Sequence, residues 1–423
     1  MKPEEESVVE DEVAPAGDVI GDTAYSERFV LKILLKLANL DSLKDEFREK
    51  PFEEDLCLLW DMTAERDVVL FLLKHDVLNL FNFALPIIDS PRIIEIMVGI
   101  VGNMCCHKET TSTLLKMDSF IKNLLEYIKT DDSLILVQLL RLINSALFLA
   151  EDEDLVIWMG FFESLAYSEA LYFMLKNSSN KELLITVLEN FNTVCTYLNA
   201  EKTRTRFFTH FVNKDALEAL TTACTEVIDN QKTLCERDEL ERVSVVSMQV
   251  TLVLIGFDKS LELYNENKEC LATMINHILL YYEDKFLNQK EMDTDLVDII
   301  DSTNTIVNTV QLNEICEPST FFIPSYCMWT AICTLKDHQN GGGDFEEDHA
   351  DRDEFLKKIK APLSNLLCGY MLHCSESNLS TVLDASKEDY ENILGGLEDK
   401  ELLSNVSKRT ASYRTRLKEH VDV

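Results

Sequence analysis

The sequence predicts an all-α chain, a right-handed solenoid of about six irregular helical repeats, and three observations carry that prediction. Across 423 residues there are only 12 Gly and 8 Pro, the two residues that most often break regular structure. Strand signals are missing: no sustained apolar/polar alternation occurs, and the Asn340-Gly341 pair falls in one loop. Most telling, one segment recurs. Leu72-Leu73-Lys74-His75-Asp76 returns as Leu114-Leu115-Lys116-Met117-Asp118, 42 residues later, and Trp60-Asp61-Met62 falls at the same offset on Gly102-Asn103-Met104. That period is the length of an armadillo or HEAT unit of two or three helices. A unit so small cannot cover its own apolar surface, so neighbours stack and bury it in turn. With 46% hydrophobic residues there is ample material for such an extended core.

Taken in order, residues 1–16 are acidic and aperiodic, and read as a disordered tail. The armadillo-like repeats are expected over 17–337, with Ser26–Phe47 as an atypical first cap. An acidic, Gly-rich loop is expected over 338–351, around Gly341-Gly342-Gly343. Residues 352–423 are expected to form a C-terminal helical cap, helical over Glu354–Cys374 and again from about Ser386 to Glu419, ending in a basic tail.

Within the repeats, each long apolar helix carries a polar residue some 12–13 positions from its start. The row runs Asp61, Asn103, Asn144, Asn192, Thr251 and Asn304. Asparagine is a poor helix-interior residue, because its amide competes for backbone hydrogen bonds. On an inner helix it could offer a donor and an acceptor to an extended peptide. Alternatively, each amide ties its helix to the adjacent repeat. Peptide-binding armadillo arrays usually carry tryptophan one turn earlier. Those positions hold Gly99, Leu140, Leu188 and Ile300 here, so an importin-like grip on basic signals is not expected.

No residues are expected to serve catalysis, a cofactor or a metal. Cys105-Cys106-His107 cannot converge on one ion, since adjacent helical residues point about 100° apart. Cys368, His373 and Cys374 lack a partner pair, and Cys327/Cys333 lacks redox spacing. There is no nucleophile elbow, phosphate loop or His-Glu-x-x-His. The glycines Gly17 and Gly21 follow no strand, which removes a dinucleotide reading.

The formal charge is −35, from 75 acidic and 40 basic side chains. That field repels phosphate backbones, so direct nucleic-acid binding is not expected. It either keeps the chain soluble or attracts basic protein segments. No apolar run approaches the ~20 residues a membrane span needs, no secretory signal opens the chain, and the 12 Cys suit a reducing compartment. The basic tail Lys408, Arg409, Arg414, Arg416 and Lys418 reverses the local charge. It is open to three readings: a nuclear-import signal, a segment docked on the acidic body, or the basic face of a last helix.

Four stretches resemble the serum-amyloid-A-like family, also named for association with synoviocyte proliferation. They are Gly17-Asp18-x-Ile20-Gly21-x-Thr23-x-Tyr25-Ser26, Trp60-Asp61-Met62, Asp67-Val68-x-Leu70-Phe71-Leu72, and Pro91-Arg92-x-x-Glu95-x-x-Val98-Gly99-Ile100-x-Gly102-Asn103-Met104. They cover about residues 17–106. The resemblance implies an armadillo-like nuclear protein, linked to cell proliferation and without an activity of its own. Gly17–Ser26 sits outside the repeats. It either folds over the first repeat, with Ile20 and Tyr25 near Trp60, or acts as a short linear motif. The function expected is thus a monomeric, non-catalytic protein-interaction scaffold of the nucleus, with the cytoplasm as a second location. The alternative is an obligate structural subunit of a larger complex.

Overall fold

A computed structural model describes residues 18–292, 294–337 and 346–421. The expected tail over 1–16, Gly17 and residues 338–345 lie outside the described residues. Every regular element among those described is helical, as composition and repeat predict. The chain divides into two compact units between Leu165 and Ala166, inside the stretch that reads as continuous repeats.

The first unit holds α1 (Glu27–Ala38), α2 (Leu40–Glu46), α3 (Lys50–Met62), α4 (Arg66–Lys74) and α5 (Val77–Ala84). It continues with α6 (Pro91–Met104), α7 (Lys108–Leu114), α8 (Asp118–Leu125), α9 (Ser133–Phe148) and α10 (Asp152–Ser164). The predicted first cap is therefore two helices, broken at Asn39 (φ −92°, ψ 78°). Ser26 starts α1 by accepting the Phe29 N–H at 3.2 Å. From α3 to α8 the rhythm is one long helix followed by two short ones. The long helices α3, α6 and α9 pack in succession, and α5 lies on α8.

The burial of α6 shows what makes these helices. Eleven of its 14 residues are buried, among them Ile93, Ile94, Ile96, Val98, Ile100 and Val101. β-Branched residues cost at most ~0.7 kcal/mol each in helix propensity, whereas burying each such side chain stabilises by ~1.5–3 kcal/mol. Packing between α3 and α9, not local preference, holds this segment helical.

The second unit holds α11 (Tyr167–Asn177), α12 (Lys181–Leu198), α13 (Arg204–Phe211), α14 (Lys214–Thr225), α15 (Arg237–Ile255), α16 (Ser260–Leu263) and α17 (Lys268–Leu287). Then come α18 (Thr294–Val310), α19 (Pro318–Asp337), α20 (Glu346–His373), α21 (Glu376–Ala385), α22 (Tyr390–Leu394) and α23 (Lys400–Val421). Two series of packed helices run through it, α12–α15–α18–α20 and α11–α14–α17–α19.

Two expected boundaries move. The loop expected over 338–351 is helical from Glu346. The helix expected from Ser386 to Glu419 is interrupted after α22, at Gly395-Gly396. A Cβ on Gly396 would stand 2.2 Å from the Ser364 hydroxyl, which itself accepts the Trp329 indole N–H at 3.2 Å. The close approach of this turn to α20 requires the bare backbone.

Among the described residues no single helix is long and apolar enough to cross a membrane. The pair Arg66–Lys74 and Val77–Ile87 passes only together, and is bent by 72°.

Candidate protein-binding face

The N-terminal motif is a structured strap on the first unit. The Asp18 carboxylate accepts the Ser26 hydroxyl at 2.9 Å and the Arg28 N–H at 3.0 Å. The Arg28 N–H bond holds its carboxyl below the usual range. Gly21 adopts φ +54°, and a Cβ there would meet the Asp67 carboxylate of α4 at 2.1 Å. Glycine is required on both counts. The same carboxylate accepts the Asp22 N–H at 2.9 Å. Ile20 is buried at 2% exposure and Tyr25 half-buried, with the Ile20 N–H donating to the Tyr25 carbonyl at 2.9 Å. The strap therefore engages α4 through Asp67.

Of the remaining motif residues, Trp60, Arg92, Gly99 and Asn103 form the α3–α6 seam. Pro91 opens α6, where its missing N–H costs nothing. Arg92 bonds Glu95 at 2.7 Å and lies 5.9 Å over the Trp60 ring. Glu95 raises the Arg92 pKa. A Cβ on Gly99 would stand 2.2 Å from the Trp60 ring, so the indole fills the space that only glycine leaves. A Cβ on Gly102 would meet Leu142 of α9 at an ordinary contact distance, 3.6 Å. The Asn103 amide donates to the Thr63 hydroxyl at 3.1 Å and to the Trp60 carbonyl at 3.3 Å. This asparagine ties α6 to the end of α3.

The rest of the polar row is uneven. Asp61 is exposed on α3, and Asn144 is half-buried on α9. Asn192 of α12 donates to Gln249 of α15 at 3.0 Å. On α18, Asn304 accepts from Asn308 at 3.0 Å, and both amides border Gly369 of α20. Thr251 requires correction. It is fully buried and its hydroxyl bonds back to the Ser247 carbonyl at 2.7 Å, so it cannot present a polar group to a partner. The member of the row on α15 is Gln249, the thirteenth residue of its helix as Asn103 is of α6. The capping box of Glu236 and Glu239 fixes that helix start and could have supplied the register.

Further cross-helix contacts escaped the sequence reading. Lys181 of α12 meets Glu239 of α15 at 2.7 Å, and Arg242 meets Glu189 at 3.4 Å. With Asn192–Gln249 they make one polar seam between the two long helices. On α18, Asp298 and Asp301 reach solvent one turn apart; the part of the Asp301 carboxyl that packs against the helix surface, and then the Asp298 charge, push its pKa up. The positions where a tryptophan would precede each asparagine are all core: Gly99 is buried, and Leu140, Leu188 and Ile300 are 0% exposed.

In the basic tail, Arg409 is not an open cation. Its guanidinium donates to the Leu372 and Cys374 carbonyls at the end of α20 and lies 3.6 Å from Glu376. Lys408 is exposed. The side chains of Arg414, Arg416 and Lys418 lie outside the described residues. Cys105 is buried, which pushes its thiol pKa up, while Cys106 is exposed and contacts the Gly102 carbonyl at 3.8 Å. Among the described residues no group of three or more His, Cys, Asp or Glu is placed to hold a metal.

No family model matches the chain. It is similar to Protein saal1 of Danio rerio, 30% identical over 195 residues, which are 44% of this chain and 40% of the relative. Protein SAAL1 of Homo sapiens is 30% identical over 185 residues, 41% of this chain and 39% of the relative. The Mus musculus protein of that name is 28% identical over 185 residues, 41% of this chain and 39% of its own. The chain thus matches about 40% of the length of these curated relatives.

Proposed function

We propose that this chain, related to the SAAL1 proteins as its N-terminal motifs indicate, is a non-catalytic armadillo-like scaffold that holds another protein along its long helices. The observation that carries the reading is the polar seam on α12 and α15, continued by Asn304 and Asn308 on α18. Each amide has several hydrogen-bonding positions, and the Asn192–Gln249 bond uses one on either side, leaving capacity for a peptide backbone. Successive packing of long helices in each unit supports the armadillo-like solenoid. Exposed Asp298 and Asp301 favour a basic partner segment. The family resemblance adds a nuclear site of action and a link to cell proliferation.

The test replaces Asn192, Gln249 and Asn304 together by Ala in the full chain. Partner recovery by affinity purification should fall about tenfold or more, the worth of one or two lost hydrogen bonds, with an unchanged helical spectrum. Undiminished recovery would mean that these amides only tie repeats together. The second reading, a subunit permanently buried in a larger complex, draws on Phe83 and Phe173, which are 60% and 68% exposed.

A further inference from the structure

Between α14 and α15 the chain leaves the helical stack. A single π turn, Glu226–Asn230, follows α14, and residues 231–236 then run as an irregular loop up to the Glu236–Glu239 capping box of α15. The loop is pinned to the start of α12. The Gln231 amide donates to the Ser179 carbonyl at 3.0 Å, and Lys181 donates to the Leu234 carbonyl at 3.2 Å. Outside those two pins Lys232, Thr233 and Leu234 are all exposed, Leu234 at 68%. Among the described residues no hydrogen bond engages the Thr233 hydroxyl. The helical threonines differ: Thr222 and Thr251 bond back to carbonyls of their own helices at 2.8 and 2.7 Å.

The residues that follow carry a definite charge pattern. Glu236, Asp238 and Glu239 stand three, five and six positions after Thr233. A kinase whose peptide site is lined by cations selects such carboxylates, because opposite charges favour docking and like charges oppose it. Glu236 already accepts the Glu239 N–H in the capping box, but a carboxylate has about four acceptor positions. The basic neighbour on the other side, Lys232, lies 5.8 Å over the Tyr281 ring of α17.

We propose that Thr233 is a phosphorylation site for an acid-directed serine/threonine kinase, and that Lys181 receives the phosphate. In the transfer Thr233 Oγ1 bonds to the γ-phosphorus of ATP and the bond to the β–γ bridging oxygen breaks. ADP leaves, and the hydroxyl proton passes to the base of the kinase. The product carries a charge of about −2 on the residue next to Leu234, whose carbonyl Lys181 holds. Adjacent Cα atoms are only about 3.8 Å apart, so the phosphate reaches that ammonium without the loop having to move. Lys181 also pairs with Glu239 at 2.7 Å, joining α12 to α15. The phosphate therefore competes with Glu239 for one cation, and the modification acts on the end of the polar seam.

The full chain is incubated with casein kinase 2 and ATP, and phosphate is mapped by peptide mass spectrometry over time. Thr233 should be modified faster than Ser42 and Thr381. Those two also have an acidic residue three positions on, Asp45 and Asp384, but they lie inside α2 and α21. Thr233→Ala should remove that phosphopeptide and leave the helical spectrum unchanged. No phosphate at Thr233, or modification no faster than at the two helical sites, overturns the proposal. Amide exchange then tests the receiving cation. Exchange over residues 231–236 should slow about threefold on phosphorylation, the worth of one exposed ion pair, and Lys181→Ala should abolish the slowing. Unchanged exchange, or equal slowing in Lys181→Ala, overturns Lys181 as the receiver.

Discussion

At the scale of single residues, the family-like motif is a set of close approaches rather than a binding site. Gly99 shows this most directly. Alanine is favoured over glycine in a helix by ~1 kcal/mol, but here its methyl would lie 2.2 Å from the Trp60 ring. Gly99→Ala should therefore destabilise the chain by about 1–3 kcal/mol, read as a lower urea midpoint. Combining it with Trp60→Leu should relieve most of that loss; simple additivity would show that the ring is not the obstacle. Asp18 supplies a pH signature. Its folded pKa is depressed below the usual carboxylate range, chiefly by the Arg28 N–H. Stability from this group is present above the unfolded pKa and is lost as pH falls through the folded one. Asp18→Asn should flatten acid sensitivity below about pH 4, the unfolded carboxylate range. An unchanged acid limb of the melting profile would remove Asp18 from the strap.

At the scale of elements, helix existence was legible because burial repeats with a helical period. Helix ends were less so. Ser26, Pro91 and the Glu236–Glu239 capping box mark starts that a sequence can reveal. The end of α20 is different, since its last carbonyls are satisfied by Arg409, 36 residues after His373. No local pattern announces that pairing. Arg409→Ala should cost about 1.5–3 kcal/mol, the range for hydrogen bonds to a charged group, measured by thermal melting. The exposed neighbour provides the control: Lys408→Ala should stay within ~0.5 kcal/mol. Equal effects of the two would place Arg409 on the surface after all.

At the scale of the whole molecule, charge and repeat period set the class of protein, and contacts decide which residues remain available. The basic tail illustrates this. Five cations read as a candidate import signal, yet Arg409 is committed to capping α20. If import is the tail's role, Lys408→Ala, Arg414→Ala, Arg416→Ala and Lys418→Ala together should shift a tagged chain out of the nucleus, with Arg409 left in place. Unaltered distribution by microscopy would exclude the tail as the signal. By itself the sequence determined the all-helical class, the 42-residue start of the repeat and the motif residues, because periodic burial and steric necessity leave a mark at each position. Only the tertiary structure decided that Thr251 is core and Gln249 is its surface counterpart, that Asn103 ties helices together, and that Trp60 rests on Gly99. Such assignments depend on which face of a helix meets its neighbour. One position's shift in register turns a helical side chain by about 100°, and apolar periodicity on a nearly enclosed helix is too weak to fix it.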